Sequence, residues 1–235
     1  MSCYHPLKGF ILGTNFSGKK ELSIQSYNTD HVEVTQDGHV LPALDSARSP
    51  RCFRYVKDFV DIPCGQCIGC RLDYSREWAN RCMLELADHD EAWFVTLTYD
   101  DNHLPVSYYA DPNNGLAYPS HTLDKRDVQL FFKRLRKLTG QHIRYYMCGE
   151  YGPKNLRPHY HLIIFGLHLD DLKPWSRSPQ GYQYYRSETI EKAWSFPARD
   201  EYGCYIDNNR TVAGYCLVGG VSWESCAYTA RYMTK

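Results

Sequence analysis

The chain has 235 residues, of which 43% are hydrophobic and 23% are charged, so it is long enough to bury a sizeable core. Its 27 basic residues balance its 27 acidic residues, so the net charge gives no support for nucleic-acid binding, and any basic binding surface must be local. The first residues lack the apolar segment of a signal peptide, and the apolar run beside the histidines is too short to span a bilayer. We therefore expect an intracellular protein with no membrane partner.

The N-terminal part of the chain predicts little regular structure before its first helix. Residues 1–60 are mixed in composition and turn-rich, with no long hydrophobic period. Asp37 and Gly38 suit the positive φ angles of a hairpin turn. Apolar residues then recur at helical spacing from Leu72 to Leu86, which predicts a helix.

The next segment predicts a strand, a loop and the clearest helix of the chain. The run WFVTLTYDD, residues 93–101, is β-branched and aromatic and predicts a strand. Residues 102–121 are polar, contain the run DPNNG and predict a long loop. Asp124 suits the N-cap and Gly140 the end of the helix between them. Its apolar stripe consists of Val128, Phe131, Phe132, Leu135 and Leu138.

The last part of the chain alternates predicted strands and helices. Residues 142–150 and 159–165 predict two strands joined by a loop. A connection rich in Pro, Ser and Tyr leads to a short helix, SETIEKAWSF, capped by Ser187. The run TVAGYCLVGGV, residues 211–221, predicts a strand, and a final helix capped by Ser222 follows.

The predicted fold is α+β, with an antiparallel sheet flanked by helices. From about residue 90 the order is strand, helix, strand, strand, helix, strand, helix. Hairpin-joined strands with helices on one side form a sandwich of this class. We expect a Cys-rich N-terminal segment with a helix, residues 1–90, packed on a core of residues 91–235.

Two histidines at the start of an apolar strand predict a metal site. His159 and His161 project from the same face of a strand. If Glu150 lies opposite His159 in a hairpin, its carboxylate shares that face. Two imidazoles and a carboxylate with open positions suit Mg²⁺ or Mn²⁺ completed by substrate oxygens, and they also suit Zn²⁺. The alternative is that the histidines are surface residues or belong to a buried polar network.

Two tyrosines near the end of the chain predict a pair of nucleophiles. Tyr228 and Tyr232 are four residues apart and stack on one face of a helix. Arg231 and Lys235 each follow one of them by three residues. A nearby cation favours the phenolate and can neutralise a phosphate, so the pair suits transesterification of a phosphodiester beside a metal. The alternative is aromatic packing against the sheet, with solvated cations at its rim.

Three motifs occur in an order that resembles the HUH endonuclease superfamily: FVTLTY (94–99), PHYHLIIFG (158–166) and YTARYMTK (228–235). Together with CYHP, PCGQCIGCR, FFKRLRK and GEYG, they are similar to the replication initiators of microviruses, single-stranded-DNA bacteriophages, particularly of the gokushovirus branch. The resemblance covers nearly the whole chain and implies an antiparallel RRM/ferredoxin-like sheet flanked by helices.

The resemblance implies a specific chemistry at these residues. Such enzymes nick single-stranded DNA at a phage origin, keep the 5′ end as a phosphotyrosine, and leave a 3′-hydroxyl that primes rolling-circle synthesis by host replication proteins. Tyr228 and Tyr232 then correspond to the nucleophiles, Lys235 to a group assisting Tyr232, and His159 and His161 to metal ligands. The setting is the host bacterial cytoplasm. Relatives usually continue past the tyrosine motif, so we expect the chain to be a truncated or catalytic-domain portion.

One basic stretch offers a local surface for DNA. The run KRLRK, residues 133–137, together with Lys125 and Arg126, could follow a phosphate backbone. The alternative, a solvated face of an amphipathic helix, is equally compatible with the sequence.

A cysteine cluster predicts a second metal site. Cys64, Cys67 and Cys70 form a C-x₂-C-x₂-C run, and with Cys3 as fourth ligand, or Cys52 in reserve, they suit a structural Zn²⁺. The spacing also occurs in iron–sulfur ligation, and free thiols are the third alternative. The remaining cysteines predict small apolar residues: Cys82, Cys148, Cys204, Cys216 and Cys226.

A second function fits the same residues. In a non-catalytic, zinc-containing nucleic-acid-binding module, the tyrosines would stack on bases and the histidines would be incidental. Phenylalanine at 228 and 232 separates the two functions, because it stacks but cannot attack phosphorus.

Overall fold

The computed structural model describes residues 3–43, 52–153, 155–199 and 205–232. The chain divides into two compact units, Met1–Tyr74 and Ser75–Lys235, and the boundary falls within the first helix, α1 (Ile68–Ala87). Strands and helices are both present and every paired strand is antiparallel, so the predicted α+β class is confirmed. Among the described helices, none has the length and apolarity that a bilayer crossing requires.

The first unit contains two three-stranded sheets, with strand orders β2-β1-β6 and β4-β3-β5. The predicted turn at Asp37 and Gly38 joins β3 to β4, with Gly38 at φ 80°. The strands themselves were not predicted, because their buried and exposed residues do not alternate clearly along the chain. The strands are β1 (Leu7–Thr14), β2 (Lys20–Gln25), β3 (His31–Thr35), β4 (Val40–Ala43), β5 (Cys52–Val56) and β6 (Phe59–Ile62).

The second unit follows the predicted order, with additional hairpins inserted between the predicted elements. Its elements after α1 are β7 (Ala92–Thr98), β8 (Val106–Ala110), β9 (Ala117–His121), α2 (Lys125–Thr139), β10 (Arg144–Tyr151), β11 (Pro158–Phe165), β12 (Lys173–Arg177), β13 (Gln183–Arg186), α3 (Glu188–Ala193), β14 (Ser195–Arg199), β15 (Tyr205–Val212), β16 (Cys216–Gly220) and α4 (Trp223–Tyr232).

A six-stranded antiparallel sheet forms the centre of this unit, in the order β10-β11-β7-β16-β13-β12. Strand β11 is buried along nearly its whole length. Its residues alternate between two hydrophobic clusters: Leu162 and Ile164 belong to one, and Ile163 and Phe165 to the other. His159 and His161 share the face of Ile163 and Phe165, because they are two and four residues away from Ile163.

Helices cover both faces of the sheet, so the expectation of helices on one side was wrong. Helices α2 and α3 bury Phe131 and Ile190 on one face. The second-unit part of α1 and helix α4 bury Cys82 and Cys226 on the other. A strand that is apolar on both faces, as β11 is, must be covered on both. The histidine face is therefore the face of α1 and α4.

The predicted helix caps are confirmed. Asp124 Oδ1 accepts a hydrogen bond of 2.8 Å from the Arg126 amide, and Gly140 ends α2 in the left-handed conformation at φ 67°. Ser187 accepts from the Ile190 amide at the start of α3. At the start of α4, the Ser225 amide donates to Ser222 Oγ at 3.2 Å.

Four boundaries differ from the prediction. The expected loop 102–121 contains the hairpin β8–β9, whose residues are all exposed and so show no alternation. The connection before Ser187 contains β12 and β13, and α3 ends at Ala193 rather than continuing to Phe196. The expected strand 211–221 is interrupted at Gly214, where a Cβ would collide with Thr98 O.

Candidate functional site

The hairpin of β10 and β11 brings the predicted metal ligands onto one face. Its register pairs Glu150 with His159 and Cys148 with His161, so the predicted placement of Glu150 opposite His159 is confirmed. On the other side of β11, Thr96 of β7 lies opposite His161. Glu150 and His161 are buried, and His159 is half-buried.

Both imidazoles lie close to one carboxylate oxygen of Glu150. Glu150 Oε2 lies 3.1 Å from His161 Nε2 and 3.4 Å from His159 Nε2. One donor atom from each of the three residues lies within 4.8 Å of the others. Two imidazole nitrogens and one carboxylate at this spacing form a donor set for a divalent cation.

The hydrogen bond of His159 shows that the donor set suits a cation. His159 Nδ1 lies 3.1 Å from the Arg157 carbonyl oxygen, which only accepts, so the ring proton is assigned to Nδ1. With Nδ1 held by this carbonyl, Nε2 is the nitrogen that faces Glu150 Oε2, 3.4 Å away. A cation between Nε2 and Oε2 would be ligated by both atoms, so the residues fit a metal.

The His161 imidazole is neutral and held in one orientation. Burial, and then the neighbouring His159, lower the pKa of His161 to about 4, although Glu150 opposes the shift. Its Nδ1 lies 3.1 Å from Thr96 Oγ1, and its ring stacks on Phe94 with an interplanar angle of 4°. The imidazole is therefore neutral near pH 7 and fixed in orientation.

Helix α4 carries both tyrosines to this donor set. Tyr228 OH donates a hydrogen bond of 3.1 Å to Glu150 Oε2. The Tyr228 ring lies 5.0 Å from the His161 ring, and the Tyr232 ring lies 6.2 Å from it. The helix is anchored to α1 by Ser75 Oγ, which donates to Ala227 O at 2.7 Å. The structure thus brings together all five of these predicted site residues.

The tyrosines are not activated in the way the sequence suggested. Burial, the hydrogen bond with Tyr232 and the charge of Glu150 raise the pKa of Tyr228. Burial and Glu150 also raise the pKa of Tyr232. The expectation that a helix cation lowers these values was wrong for the protein alone, because the tyrosines face a carboxylate. Lys235 lies outside the described residues.

Glu150 remains ionised among these neighbours. Burial opposes its ionisation, but hydrogen bonds from Tyr232 and Tyr228 and the adjacent imidazoles outweigh burial, so the pKa of Glu150 is lowered. An ionised carboxylate beside the neutral imidazole of His161 is the protonation state that metal ligation requires.

Sequence reasoning missed the residues that support this site. Thr96 and Phe94 hold the His161 ring, and the Arg157 carbonyl orients His159. The signal was present in the strand 93–101, since pairing it with 159–165 in antiparallel register brings Thr96 next to His161. That register could not be read from the sequence alone.

Two clefts flank the site. One, of about 660 Å³, adjoins His159 and is lined by Arg157, Pro158 and Tyr215 among others. The second, of about 560 Å³, adjoins His161 and Tyr228 and lies between α4 and the turn and strand formed by Gln180–Tyr184. A chain-like substrate that reaches the paired tyrosines therefore has space on both sides.

Two arginines of the basic stretch of α2 make structural contacts, whereas Lys125, Arg126, Lys133 and Lys137 are exposed. Arg134 Nε donates to Ala193 O at 2.7 Å, and Arg136 donates to Ile143 O at 3.0 Å. Helix α2 also covers the sheet face opposite the histidines. These contacts favour the alternative that the stretch is the polar face of a packed helix.

The cysteine cluster of the first unit also assembles as predicted. Cys3, Cys64, Cys67 and Cys70 lie with their sulfur atoms within 4.8 Å of one another. The Cys67 and Cys3 sulfurs are 3.8 Å apart, and those of Cys64 and Cys70 are 3.9 Å apart. The side chain of Cys52 and the whole of Cys204 lie outside the described residues. The other predicted apolar cysteines are buried: Cys82, Cys148, Cys216 and Cys226.

Backbone amides donate hydrogen bonds to three of the four sulfur atoms of the cluster. The amides of Cys70 and Tyr4 point at Cys67 Sγ and lower the pKa of that thiol to about 6, whereas burial raises the pKa of Cys70 to about 12. Further amides point at Cys64 Sγ and Cys3 Sγ. Amide-to-sulfur hydrogen bonds stabilise thiolates, which are the form that binds metal.

The fold and the site define a class of protein: an α+β protein whose antiparallel sheet presents two histidines and a glutamate to paired tyrosines on a helix. The sequence profile of the replication-associated protein ORF2 family matches residues 92–235, which include all of these site residues. The chain belongs to this family, and the resemblance to microvirus-type rolling-circle replication initiators is confirmed.

Curated relatives come from small bacteriophages. The chain is 38% identical to replication-associated protein ORF2 of Spiroplasma virus 4 and 35% identical to replication-associated protein VP4 of Bdellovibrio phage phiMH2K. Each match covers 74% of this chain and 48% of the relative. Replication-associated protein ORF4 of Chlamydia phage 1 is 28% identical, over 78% of this chain and 40% of the relative. The chain thus spans about half the length of these relatives or less. No solved structure matches it significantly.

Proposed function

We propose that the protein nicks single-stranded DNA at a phage origin by metal-dependent tyrosine transesterification and rejoins the ends during rolling-circle replication. The observation that carries this proposal is the shared oxygen of Glu150, which lies 3.1 Å from both Tyr228 OH and His161 Nε2. The proposed nucleophile, Tyr228, and a proposed metal ligand, His161, therefore both contact the same carboxylate oxygen. Membership of a phage replication family supports DNA as the substrate.

His159, His161 and Glu150 would hold the catalytic ion, which we expect to be Mg²⁺ or Mn²⁺. Carboxylate and imidazole donors with open positions suit these ions, which keep sites for substrate oxygens. A bound ion would polarise the phosphodiester and offset the charge that develops on its oxygens. Thr96 and the Arg157 carbonyl fix the two imidazoles in place.

Tyr228 is positioned to make the first bond. Its oxygen forms a bond to phosphorus while the bond between phosphorus and the 3′ oxygen breaks. The phenol donates to Glu150 Oε2 in the protein alone; because that oxygen would face the bound ion, the phenol proton passes to water. The 3′ oxygen leaves with the bonding pair and takes a proton from water. The products are a 5′-phosphotyrosine and a free 3′-hydroxyl.

The second tyrosine provides the return step. The rings of Tyr228 and Tyr232 lie 4.8 Å apart, so either hydroxyl can reach the same phosphorus after a small side-chain movement. Because the phosphotyrosine ester conserves the energy of the phosphodiester, rejoining by a 3′-hydroxyl needs no ATP. We keep Lys235 as the proposed partner of Tyr232, and we expect host replication proteins in the bacterial cytoplasm to extend the 3′ end.

For the cysteine cluster we propose a structural Zn²⁺. A tetrahedral zinc with sulfur ligands at ~2.3 Å has sulfur-to-sulfur edges of ~3.8 Å. The observed edges of 3.8 and 3.9 Å match that geometry. An iron–sulfur cluster holds its thiolates around a larger inorganic core and requires wider spacing. Zinc would link Cys3 to the start of α1 within the first unit.

The test separates the nicking enzyme from a DNA-binding module without catalysis. The wild type and the double variant Tyr228→Phe/Tyr232→Phe are incubated with single-stranded phage-origin DNA and Mn²⁺. Denaturing gels then detect covalent protein–DNA adduct. We expect adduct with the wild type and none with the double variant, while DNA binding persists in both. Adduct formation by the double variant, or cleavage that survives thorough chelation with EDTA, contradicts the proposal.

A further inference from the structure

We infer that the cleft between α4 and Gln180–Tyr184 binds the bases of single-stranded DNA next to the cut phosphate, with Tyr182 as a stacking platform. This inference rests on the proposed function, because it assigns a role to the space beside the same tyrosine. It adds the mode of recognition, which is contact with base faces rather than with phosphates.

The cleft begins at the catalytic residues. His161 and Tyr228 line one end of it. Its floor is the surface of β7 and β16, where Gly219 and Gly220 carry no side chains. A nucleotide joined to a phosphate at Tyr228 therefore enters this cleft directly. Its volume of about 560 Å³ suits groups the size of bases rather than a duplex.

The wall opposite α4 is aromatic. Tyr182 is 56% exposed and lies in the turn between β12 and β13, at the cleft. Tyr184 is half-buried, and its ring covers Gly219, where an added Cβ would come within 3.3 Å of two ring carbons. Tyr184 is thus part of the packed wall, whereas Tyr182 offers a ring to a ligand. Exposed aromatic rings beside a strand-sized groove are a platform for unpaired bases.

The charge of the cleft excludes recognition through phosphates. Among the described residues that line it, none is Lys or Arg, and Glu224 is acidic. A groove that follows a DNA backbone needs cations, and its affinity falls steeply with salt. A ligand that enters a neutral-to-acidic aromatic cleft must do so with its bases. This agrees with a chain whose net charge is zero.

Two substitutions test the cleft without touching the catalytic residues. Tyr182→Ala removes the platform, and Tyr182→Phe keeps it. Tyr108→Ala, at a 71% exposed tyrosine outside the cleft, is the matched control. Gly219→Ala narrows the floor, because Gly219 pairs with Phe94 and shares its face, and an added Cβ would come within 3.3 Å of the Tyr184 ring.

Binding is measured with a fluorescent 12-nucleotide oligodeoxythymidine, and with an oligomer of equal length and charge that lacks bases. We expect Tyr182→Ala to weaken oligodeoxythymidine binding about tenfold, and Gly219→Ala to weaken it by a smaller factor. Tyr182→Phe and Tyr108→Ala should bind within about twofold of wild type, and the base-free oligomer should bind weakly to all five proteins. The ratio between Tyr182→Ala and wild type should not change between low and moderate salt, because no phosphate contact is lost.

The outcomes distinguish this inference from the nicking proposal. If Tyr182→Ala and Gly219→Ala bind like wild type, or the base-free oligomer binds equally well, the base-binding cleft is wrong, whatever the cleavage assay shows. If these variants lose binding while no wild-type adduct forms, the cleft stands and the nicking proposal fails. Adduct formation that depends on Tyr228 and Tyr232 but not on Tyr182 upholds the enzyme and rejects the cleft.

Discussion

The two groups of metal-binding side chains differ in what surrounds them. The group of Glu150, His159 and His161 lies on paired central strands, is incomplete as a coordination shell, and touches a tyrosine hydroxyl. The four cysteines of the first unit have their sulfur atoms within 4.8 Å of one another, and backbone amides point at three of the sulfurs. Open sites with reactive neighbours suit catalysis, and closed thiolate sites suit structure. Under the proposed function, the second unit would carry the chemistry and the cysteine cluster would stabilise the first unit.

The largest effect should come from removing the charge of the open group. Glu150→Gln keeps the size of the side chain but loses the carboxylate that faces both imidazoles and Tyr228. We expect cleavage of origin DNA to fall at least about a hundredfold. The loss of a residue that merely supports a metal ligand already lowers activity by up to about a hundredfold, and Glu150 is proposed to be a ligand itself. Single-turnover cleavage with Mn²⁺ measures this change. Activity within a few-fold of wild type would show that Glu150 is not a ligand.

Disrupting the closed group should affect stability and metal content instead. Cys67→Ser should lower the zinc content from about one atom per chain to near zero and destabilise the first unit by several kcal/mol. Elemental analysis and thermal unfolding measure the two effects. Cys82→Ala, at a buried thiol outside the cluster, should keep its zinc. Full zinc content in Cys67→Ser, or no zinc in the wild type, would contradict the proposal of a structural zinc at this cluster.

A smaller effect should follow from loosening one ligand of the open group. Thr96→Val removes the hydroxyl that lies 3.1 Å from His161 Nδ1 while keeping the shape of the side chain. We expect Mn²⁺ affinity to fall by about 10-fold to 100-fold, measured by titration calorimetry. Thr139→Val is the matched control, because its hydroxyl donates to Leu135 O within α2, on the face of the sheet opposite the histidines. Equal losses in both variants would remove the specific role of Thr96.

The smallest effect should come from the cap of the tyrosine helix. Ser222→Ala removes the oxygen that accepts the Ser225 amide, so it should cost about 1 kcal/mol of unfolding free energy. Tyr228 lies more than one turn further along α4, so cleavage should stay within about twofold of wild type. Chemical denaturation and cleavage assays measure both. A large loss of activity at unchanged stability would mean that Ser222 has a role beyond capping.

Local sequence rules predicted the parts of the site that depend on local geometry. Strand parity placed Glu150 with the histidines, and helical spacing stacked Tyr228 on Tyr232. These rules involve one element or one hairpin. Thr96 was missed because its contact with His161 depends on the order of strands in the sheet.

The difference between local and long-range contacts also explains which predictions were wrong. The hairpin β8–β9 is exposed throughout, so no burial pattern marked it in the sequence. The pKa of Tyr228 was expected to fall because Arg231 is close in sequence, but the tertiary fold sets it beside Glu150, which raises it. The charges that surround a buried site come from side chains on other strands and helices. The spacing of residues along one helix does not reveal them.

The most direct test of the central claim is mass spectrometry of the covalent intermediate. Wild-type protein is incubated with single-stranded phage-origin DNA and Mn²⁺, digested with protease and nuclease, and searched for nucleotide-linked peptides. The account predicts a nucleotide attached through phosphate to Tyr228 or Tyr232. A linkage to a residue outside α4, or cleaved DNA with no linked peptide, would contradict it.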